Sequence, residues 1–329
     1  MAYKVLLTHR IPSEGIKLPE GDYTITAPKQ KHFSREELIA MIPEYDALIP
    51  VFGFEINREL IEKGKKLKII ANFGVGFNNI DVTAATEKGI RVTNTPKMVV
   101  EPTAELAFAL LLSLTRRVTE LDRRLRNREP VKWEVMANLG HTLEGKTLGI
   151  IGMGNIGKSF ALKARAFGMN ILYHTRTPLD ITDEKTYGAE YVDFERLISE
   201  SDVISLHTPL TNDTHHLLDE RAIQNMKRGA FIINTARGAV IHEEALIRYL
   251  QNGHLGGAGL DVFEFEPKVS EGLLKLDNVV VVPHIGTANY ETRKAMAEEA
   301  SMNILEFFSG NRPPNLVNPQ VEDNDWMIE

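Results

Sequence analysis

The chain has 329 residues, 43% of them hydrophobic and 25% charged, which is an ordinary composition for a folded globular protein with room for two domains. Its formal net charge of −7 offers no basic surface to a phosphate backbone and argues against a nucleic-acid partner. Its 0 Cys exclude a disulfide framework and a thiolate metal site, and they favour a reducing compartment.

The chain begins with a strand-like segment rather than a signal peptide, because Met1–Val5 lacks a long apolar core. The most apolar helix candidate, Leu106–Leu114, is also far shorter than the roughly 20 residues that cross a bilayer. We therefore expect a cytoplasmic protein with no membrane partner.

Strand and helix patterns alternate over residues 1–100. A long helix then follows Pro96 and Pro102, and its apolar residues lie almost all round, as expected of a helix buried against another domain or subunit. The predicted strands are Lys4–Thr8, Tyr45–Val51, Lys68–Ala71 and Arg91–Thr93, and the predicted helices are Ser34–Met41, Asn57–Lys63 and Thr103–Arg117.

From Lys146 to Pro283 the pattern becomes strand, glycine turn and helix, which is typical of a parallel sheet covered by helices. One more helix, Tyr290–Ser309, precedes Pro313 and an acidic tail. The predicted strands of this zone are Leu148–Ile151, Ile171–His174, Val203–His207, Ala230–Asn234, Gly257–Asp261 and Val279–Val282.

These patterns predict an α/β protein with two Rossmann-like domains, each built on a doubly wound parallel sheet. Residues 101–284 form the inserted domain, and residues 1–100 with 285–329 form one discontinuous domain. We expect a cleft between the two domains, because the chain passes from one to the other twice, each time through a connecting helix.

A glycine turn, Gly152-Met153-Gly154-Asn155-Ile156-Gly157, follows the first strand of the inserted domain directly. GxGxxG alone is a weak pattern, but here a strand precedes it and a helix and a second strand follow. Gly152 would permit the tight turn, Gly154 would admit a pyrophosphate, and Gly157 would let helix and strand pack closely. The sequence therefore predicts a dinucleotide site, and an ordinary glycine-rich turn is the alternative.

The second strand of such a domain usually ends in an acid that binds the ribose 2′-hydroxyl of NAD. Here the strand ends in His174-Thr175-Arg176-Thr177, where no acid is present. The Arg176 guanidinium could instead pair with a 2′-phosphate, although it could also stack on adenine or point into water. We predict NADP(H) as the favoured cofactor, with NAD(H) possible.

Three reactive side chains follow strands of the same domain, and the carboxyl ends of such strands are where ligands bind. Arg237 could grip the carboxylate of a 2-oxo acid and polarise its ketone. His284 could exchange a proton near neutral pH, and Glu266 could orient its ring. Two alternatives stay open at this point: His207 also ends a strand, and Glu264 competes with Glu266.

No metal centre is expected. The adjacent pair His215-His216 has no ligand spacing that suggests one, and a solvated turn is its simplest interpretation.

Four motifs follow one another along the chain. They are Gly149–Gly157, Asn234-Thr235-Ala236-Arg237-Gly238, Gly257–Phe263 running on to Glu266-Pro267, and Pro283-His284-Ile285-Gly286. Together they resemble the D-isomer-specific 2-hydroxyacid dehydrogenase family, and within it glyoxylate/hydroxypyruvate reductases most closely. The similarity spans nearly the whole chain, including Asn72-Phe73-Gly74-Val75-Gly76 and Asn94-Thr95-Pro96.

The resemblance implies a role for each matched position. Arg237, Glu266 and His284 would be the catalytic residues, and the discontinuous domain would be a flavodoxin-like substrate domain. Phe52, Gly53, Val75, Gly76 and Arg237 would bind substrate. The cofactor would be bound by Gly152, Gly154, Asn155, Ile156, Gly157, Thr175, Arg176, Thr177, Pro178, Thr208, Pro209, Thr235, Ala236, Asp261, His284 and Gly286.

The function that we expect is reduction of a short 2-oxo acid by hydride transfer from NAD(P)H, with His284 as the acid and base. The resemblance also implies a homodimer formed through Thr103–Arg117. A D-lactate or broader D-2-hydroxyacid dehydrogenase and a nucleotide-sensing corepressor are the alternatives. A formate dehydrogenase is disfavoured because it pairs its His with Gln, and a phosphoglycerate dehydrogenase because Val51–Phe54 looks apolar.

Overall fold

A computed structural model of the chain describes residues 2–51 and 53–322. The predicted pocket residue Phe52 and the acidic tail after Glu322 lie outside the described residues. The chain divides into two compact units, which we call the first unit (Met1–Val99 with Thr287–Glu329) and the second unit (Val100–Gly286).

The first unit contains a five-stranded sheet in the order β2-β1-β3-β4-β5, in which every pair is parallel. Ser34, Asn57 and Asp81 start its helices by accepting a backbone N–H with their side chains. The strands are β1 Tyr3–Leu7, β2 Tyr23–Thr26, β3 Ala47–Ile49, β4 Ile69–Ala71 and β5 Arg91–Thr93, and the helices are α1 Arg35–Met41, α2 Arg58–Lys63 and α3 Val82–Glu87.

The second unit contains a seven-stranded parallel sheet in the order β12-β11-β10-β9-β6-β7-β8. The order reverses beside β6, which makes this the point where open α/β sheets bind ligands. The strands are β6 Thr147–Ile151, β7 Asn170–His174, β8 Ala189–Tyr191, β9 Val203–Leu206, β10 Phe231–Asn234, β11 Gly257–Leu260 and β12 Val279–Val281. The helices are α4 Val100–Thr115, α5 Val118–Arg126, α6 Asn155–Ala166, α7 Ile181–Tyr187, α8 Phe194–Glu200, α9 Glu220–Gln224, α10 Glu243–Gln251 and α11 Glu271–Leu274.

The chain returns to the first unit in one long helix, α12 Tyr290–Phe308. Its buried residues Met296, Ala297, Ala300 and Ile304 join the core on one face of the five-stranded sheet. Among the described helices, none is both long enough and apolar enough to span a membrane. The predicted fold class, α/β with two parallel Rossmann-like sheets, is confirmed.

The apolar helix α4 is buried within its own unit. A Cβ added to Gly257 would lie 2.8 Å from Leu114 Cδ1, and one added to Gly259 would lie 3.0 Å from Leu110 Cβ. The glycines of β11 therefore let α4 pack closely on the sheet, where each buried leucine contributes about 1.5–3 kcal/mol. The sequence suggested that the apolar residues of this helix contact another domain or subunit. Much of that apolar surface is instead buried against the sheet of its own unit.

The start of α4 is where the predicted helix boundary is wrong. The helix begins at Val100, so Pro102 lies inside its first turn instead of before it. Proline is tolerated there because the first N–H groups of a helix have no partner within it.

Candidate active site

The glycine turn joins β6 to α6 at the reversal of strand order, and close backbone contacts require two of its three glycines. Gly152 has a φ of +96°, and a Cβ there would lie 2.6 Å from the carbonyl oxygen of His207. A Cβ on Gly157 would lie 2.3 Å from the carbonyl oxygen of Gly152. Gly154 caps α6, and no atom lies within 4 Å of a Cβ built on it, so the turn is open at the N-terminus of the helix. This arrangement fits a pyrophosphate.

The second strand of the motif, β7, ends without an acid, as the sequence indicates. His174 Nδ1 lies 3.0 Å from the carbonyl oxygen of Val192, so this ring is tied to the sheet. Thr175 is half-buried, whereas Arg176, Thr177 and Pro178 are exposed. Within the part of the chain that the structure describes, the Arg176 guanidinium has neither a hydrogen bond nor an ion pair.

Arg237 follows β10 in a turn that is fixed by its neighbours. Asn234 donates its Nδ2 to the carbonyl oxygen of Arg237 at 2.9 Å and accepts the Ala236 N–H at 3.0 Å. A Cβ on Gly238 would lie 1.8 Å from the carbonyl carbon of Phe263, so only glycine lets this turn contact the loop after β11. Burial lowers the pKa of Arg237, and the negative charge of Glu266 opposes this effect.

Glu266 and His284 form a hydrogen-bonded pair, with Glu266 Oε2 3.1 Å from His284 Nδ1. The other carboxylate oxygen of Glu266 accepts the Phe263 N–H at 3.0 Å. Burial acts to raise the pKa of Glu266, but the hydrogen bond and charge of His284, the Phe263 N–H and the charge of Arg237 together lower it. The carboxylate thus stays ionised, and its hydrogen bond holds the His284 ring in place.

The backbone of His284 is in the left-handed region, with a φ of 53°. Its N–H donates to the carbonyl oxygens of Asp261 at 2.9 Å and Val282 at 3.1 Å. The buried Asp261 carboxylate accepts the N–H groups of Ile285 at 2.6 Å and Gly286 at 2.9 Å. Burial raises the pKa of Asp261 to about 6, and the two N–H groups act against that rise. Asp261 thereby holds the turn that carries His284. The sequence did not reveal this role of Asp261.

The two alternatives that the sequence left open have other partners. Glu264 Oε1 lies 2.7 Å from His216 Nε2, so this carboxylate is not paired with His284. Burial lowers the pKa of His207 to about 3, and its Nε2 lies 2.9 Å from Ser205 Oγ. A neutral ring packed 5.1 Å from the Phe160 ring is a poor proton donor at neutral pH.

The His215-His216 pair is more than a solvated turn. His215 is exposed, but His216 is half-buried against Glu264. Within the described residues, a ring nitrogen of each histidine and a Glu264 oxygen all lie within 4.8 Å of one another. The simple interpretation from the sequence is therefore wrong for His216, because the chain fold brings a distant carboxylate to it.

Other predicted cofactor residues line the same strand ends. Thr235 Oγ1 is buried and, among the described residues, has no hydrogen-bond partner, which suits a ligand at this position. Thr208 follows β9, and its backbone nitrogen would lie 2.9 Å from a Cβ on Gly152. Ala236 is half-buried and Pro209 is exposed.

The predicted substrate loop of the first unit is organised by two asparagines whose roles the sequence did not indicate. Asn72 donates its Nδ2 to the carbonyl oxygens of Gly74 at 3.1 Å and Gly76 at 2.8 Å. Asn94 Nδ2 donates to the Val75 carbonyl oxygen at 2.8 Å. The sequence signals that could have indicated these roles are the Asn-x-Gly pattern at Asn72 and the Asn-Thr-Pro pattern at Asn94. Because the asparagine side chains bind these carbonyl oxygens, the Val75 and Gly76 N–H groups are suited to bind an anion. Another predicted substrate residue, Gly53, has a φ of +82°, a backbone conformation that favours glycine.

Comparisons with known proteins agree with this geometry. The family model described as "D-isomer specific 2-hydroxyacid dehydrogenase, NAD binding domain" matches residues 108–286. A glyoxylate reductase of Thermococcus litoralis is 48% identical over 326 residues, which cover 98% of this chain and 98% of the relative.

Two solved structures have the same arrangement of elements. A glyoxylate reductase from Paecilomyes thermophila matches with a TM-score of 0.88 and 36% identity, covering 97% of this chain and 99% of that one. An NADPH-dependent glyoxylate/hydroxypyruvate reductase from Sinorhizobium meliloti, in complex with citrate, matches with a TM-score of 0.83 and 29% identity over 97% and 98% of the two chains.

Proposed function

The chain belongs to the D-isomer specific 2-hydroxyacid dehydrogenase family, and from that premise we propose that it reduces glyoxylate or hydroxypyruvate to the 2-hydroxy acid with NADPH. The coarser statement, a nicotinamide-dependent oxidoreductase acting on a small 2-oxo acid, follows from the family and its glyoxylate reductase relatives. The observation that supports the proposed acid–base chemistry is the 3.1 Å contact between Glu266 and His284, in a site that also holds the half-buried Arg237.

Arg237, His284 and Glu266 have different roles in the proposed reaction. Arg237 binds the substrate carboxylate and the ketone oxygen, and its partial burial strengthens both contacts because less water screens them. His284 donates a proton to the ketone oxygen through Nε2, since Nδ1 is engaged by Glu266. Glu266 stabilises the imidazolium before the transfer and keeps the ring in place. The bound nicotinamide cofactor supplies the hydride.

The substrate class is tested by a panel of 2-oxo acids with the purified protein and NADPH. We expect glyoxylate and hydroxypyruvate to give the highest kcat/KM, followed by pyruvate, with nucleotide oxidation measured by absorbance. A D-lactate dehydrogenase would instead prefer pyruvate. A nucleotide-sensing protein would bind NADPH without oxidising it, and either outcome would refute the proposal.

Cofactor preference depends on the exposed end of β7. We propose NADPH because no acid follows His174 and because Arg176 is available there, although the matching family model is described as NAD binding. Thr175→Asp should raise the ratio of kcat/KM for NADH to that for NADPH by about tenfold or more, since a carboxylate binds the ribose 2′-hydroxyl and repels a 2′-phosphate.

The control for this substitution is Thr182→Asp, which adds the same charge at an exposed position on α7. It should leave the ratio unchanged. Equal kcat/KM for NADH and NADPH in the unmodified protein, or an unchanged ratio in Thr175→Asp, would contradict the proposed preference.

We also propose a homodimer, and the surface that supports it differs from the one expected at first. Because α4 is largely buried in its own unit, we place the contact at the segment after α5, where Trp133, Val135 and Met136 are 89%, 93% and 77% exposed. Apolar side chains exposed together mark an interaction surface. Light scattering should give about twice the chain mass of 36.9 kDa, and Val135→Asp should give a monomer. A monomeric unmodified protein at micromolar concentration would argue against the dimer.

A further inference from the structure

Nitrogen and oxygen ligands come together in the second unit from two turns that are distant from each other in sequence. His215 and His216 lie between β9 and α9, and Glu264 lies after β11. A ring nitrogen of each histidine and a Glu264 oxygen lie within 4.8 Å of one another. No residue of this cluster belongs to the group assigned above to proton transfer or substrate binding.

The two histidines lie in a turn that brings their rings together. His216 is in the left-handed region of the backbone, with a φ of 52°. The centroids of the His215 and His216 rings lie 3.9 Å apart at an interplanar angle of 33°. The His216 N–H donates to the Ala239 carbonyl oxygen at 2.8 Å, which anchors this conformation.

The carboxylate is held by reciprocal hydrogen bonds with the start of α10. Glu264 Oε2 accepts the Glu243 N–H at 3.0 Å, and Glu243 Oε2 accepts the Glu264 N–H at 3.0 Å. The Ser270 hydroxyl donates to the other oxygen of Glu243. Hydrogen bonds of this kind orient the ligating carboxylates of metal sites. The Glu264 side chain is only 13% exposed, so its position is well defined.

We propose that His215, His216 and Glu264 form a binding site for a divalent transition metal ion. Two imidazoles and one carboxylate are ligands that suit Zn²⁺ and its neighbours, whereas Ca²⁺ and Mg²⁺ prefer oxygen ligands. Three protein ligands leave a fourth position for water. Metal–ligand distances of about 2.0–2.1 Å place the ligand atoms of a tetrahedral ion about 3.3 Å apart, and the exposed His215 side chain has the freedom to adjust to this spacing. His216 Nε2 and Glu264 Oε1, now 2.7 Å apart in a hydrogen bond, must separate slightly, and the ion replaces the proton between them.

An ion at this site would join the turn of His215 and His216 to the loop that carries Glu266, two residues after Glu264. It would stabilise that loop, because an ion that binds only the folded protein raises the melting temperature. The ion has no part in the proposed hydride or proton transfer.

The experiment uses the full chain without nucleotide and titrates Zn²⁺ by calorimetry. We expect one ion per chain, a higher melting temperature with Zn²⁺, and at least about a tenfold loss of affinity in His215→Ala and in Glu264→Gln. The control is His32→Ala, which removes another exposed histidine whose ring lies 5.3 Å from a second one, His9. This variant should bind Zn²⁺ like the unmodified protein.

Co²⁺ provides a readout of the ligands themselves, because its visible absorption reports tetrahedral coordination. The Co²⁺-loaded protein should show this absorption, and His215→Ala should lose it. The proposal is overturned if no Zn²⁺ binds at about 1 mM, which corresponds to a binding free energy weaker than about −4 kcal/mol. It is also overturned if His215→Ala binds as tightly as His32→Ala. His215 is exposed, so its variant decides the matter even if Glu264→Gln does not fold.

Discussion

His284→Gln is expected to lower kcat for 2-oxo acid reduction by about 10²–10⁴, the usual contribution of a general acid. The variant loses the only imidazole that, among the described residues, pairs with an ionised carboxylate in this site, at 3.1 Å from Glu266. The NADPH affinity of the variant, measured by fluorescence titration, should change little.

Two further variants keep this result interpretable. His284→Asn tests the backbone, because the residue has a φ of 53° and asparagine tolerates that region better than glutamine. It should lose kcat to the same extent. His207→Gln should keep kcat within about tenfold, since the ring that it removes is held neutral by burial. Full kcat in both His284 variants would exclude His284 from proton transfer. A large loss of kcat in His207→Gln, with none in the His284 variants, would assign proton transfer to His207.

Arg237→Ala is expected to damage both KM and kcat. Loss of one charge-stabilising donor costs about 10²–10³ in kcat, and loss of a charge-assisted hydrogen bond to the substrate carboxylate, worth about 1.5–3 kcal/mol, raises KM by about 10–10². The substitution also removes the positive charge that helps to keep Glu266 ionised. Steady-state kinetics with glyoxylate and saturating NADPH measure both parameters separately.

Arg237→Lys separates charge from geometry. Lysine keeps the positive charge but cannot form two parallel hydrogen bonds to a carboxylate, so this variant should recover part of kcat and little of KM. Melting temperature provides the check on folding, since the Arg237 turn contacts the loop after β11 through Gly238. Glyoxylate kinetics that remain unchanged in Arg237→Ala would show that Arg237 does not contact the substrate.

The two strands that the sequence did not predict both lie at sheet edges. β2 and β8 lie at the ends of their sheets. The Tyr23–Thr26 side chains are all at least partly exposed, and Ala189–Tyr191 buries only its first residue. Such short strands bury few side chains and are stabilised mainly by backbone pairing with a neighbouring strand, so a pattern of buried apolar residues does not identify them. Strands buried on both faces, such as β9 and β10, were predicted nearly to their ends.

The choice between two acids illustrates the same limit within the site. Glu264 and Glu266 are two residues apart in similar surroundings, and nothing local distinguishes them. In the folded chain one contacts His216 and the other contacts His284. The support that Asp261 gives to the His284 turn was equally hidden, because it joins the end of β11 to residues 24 and 25 positions later.

By itself, the sequence determined the fold class, the glycine turn and the order of the reactive side chains along the strand ends. Each of these depends on short-range chemistry: buried apolar runs, a turn that only glycine allows, and side chains placed directly after a strand. Only the tertiary structure decided which histidine meets which carboxylate, that α4 is covered by its own sheet, and that His215 and His216 approach Glu264. Those contacts join residues far apart in the chain, so their distances depend on how the whole sheet packs.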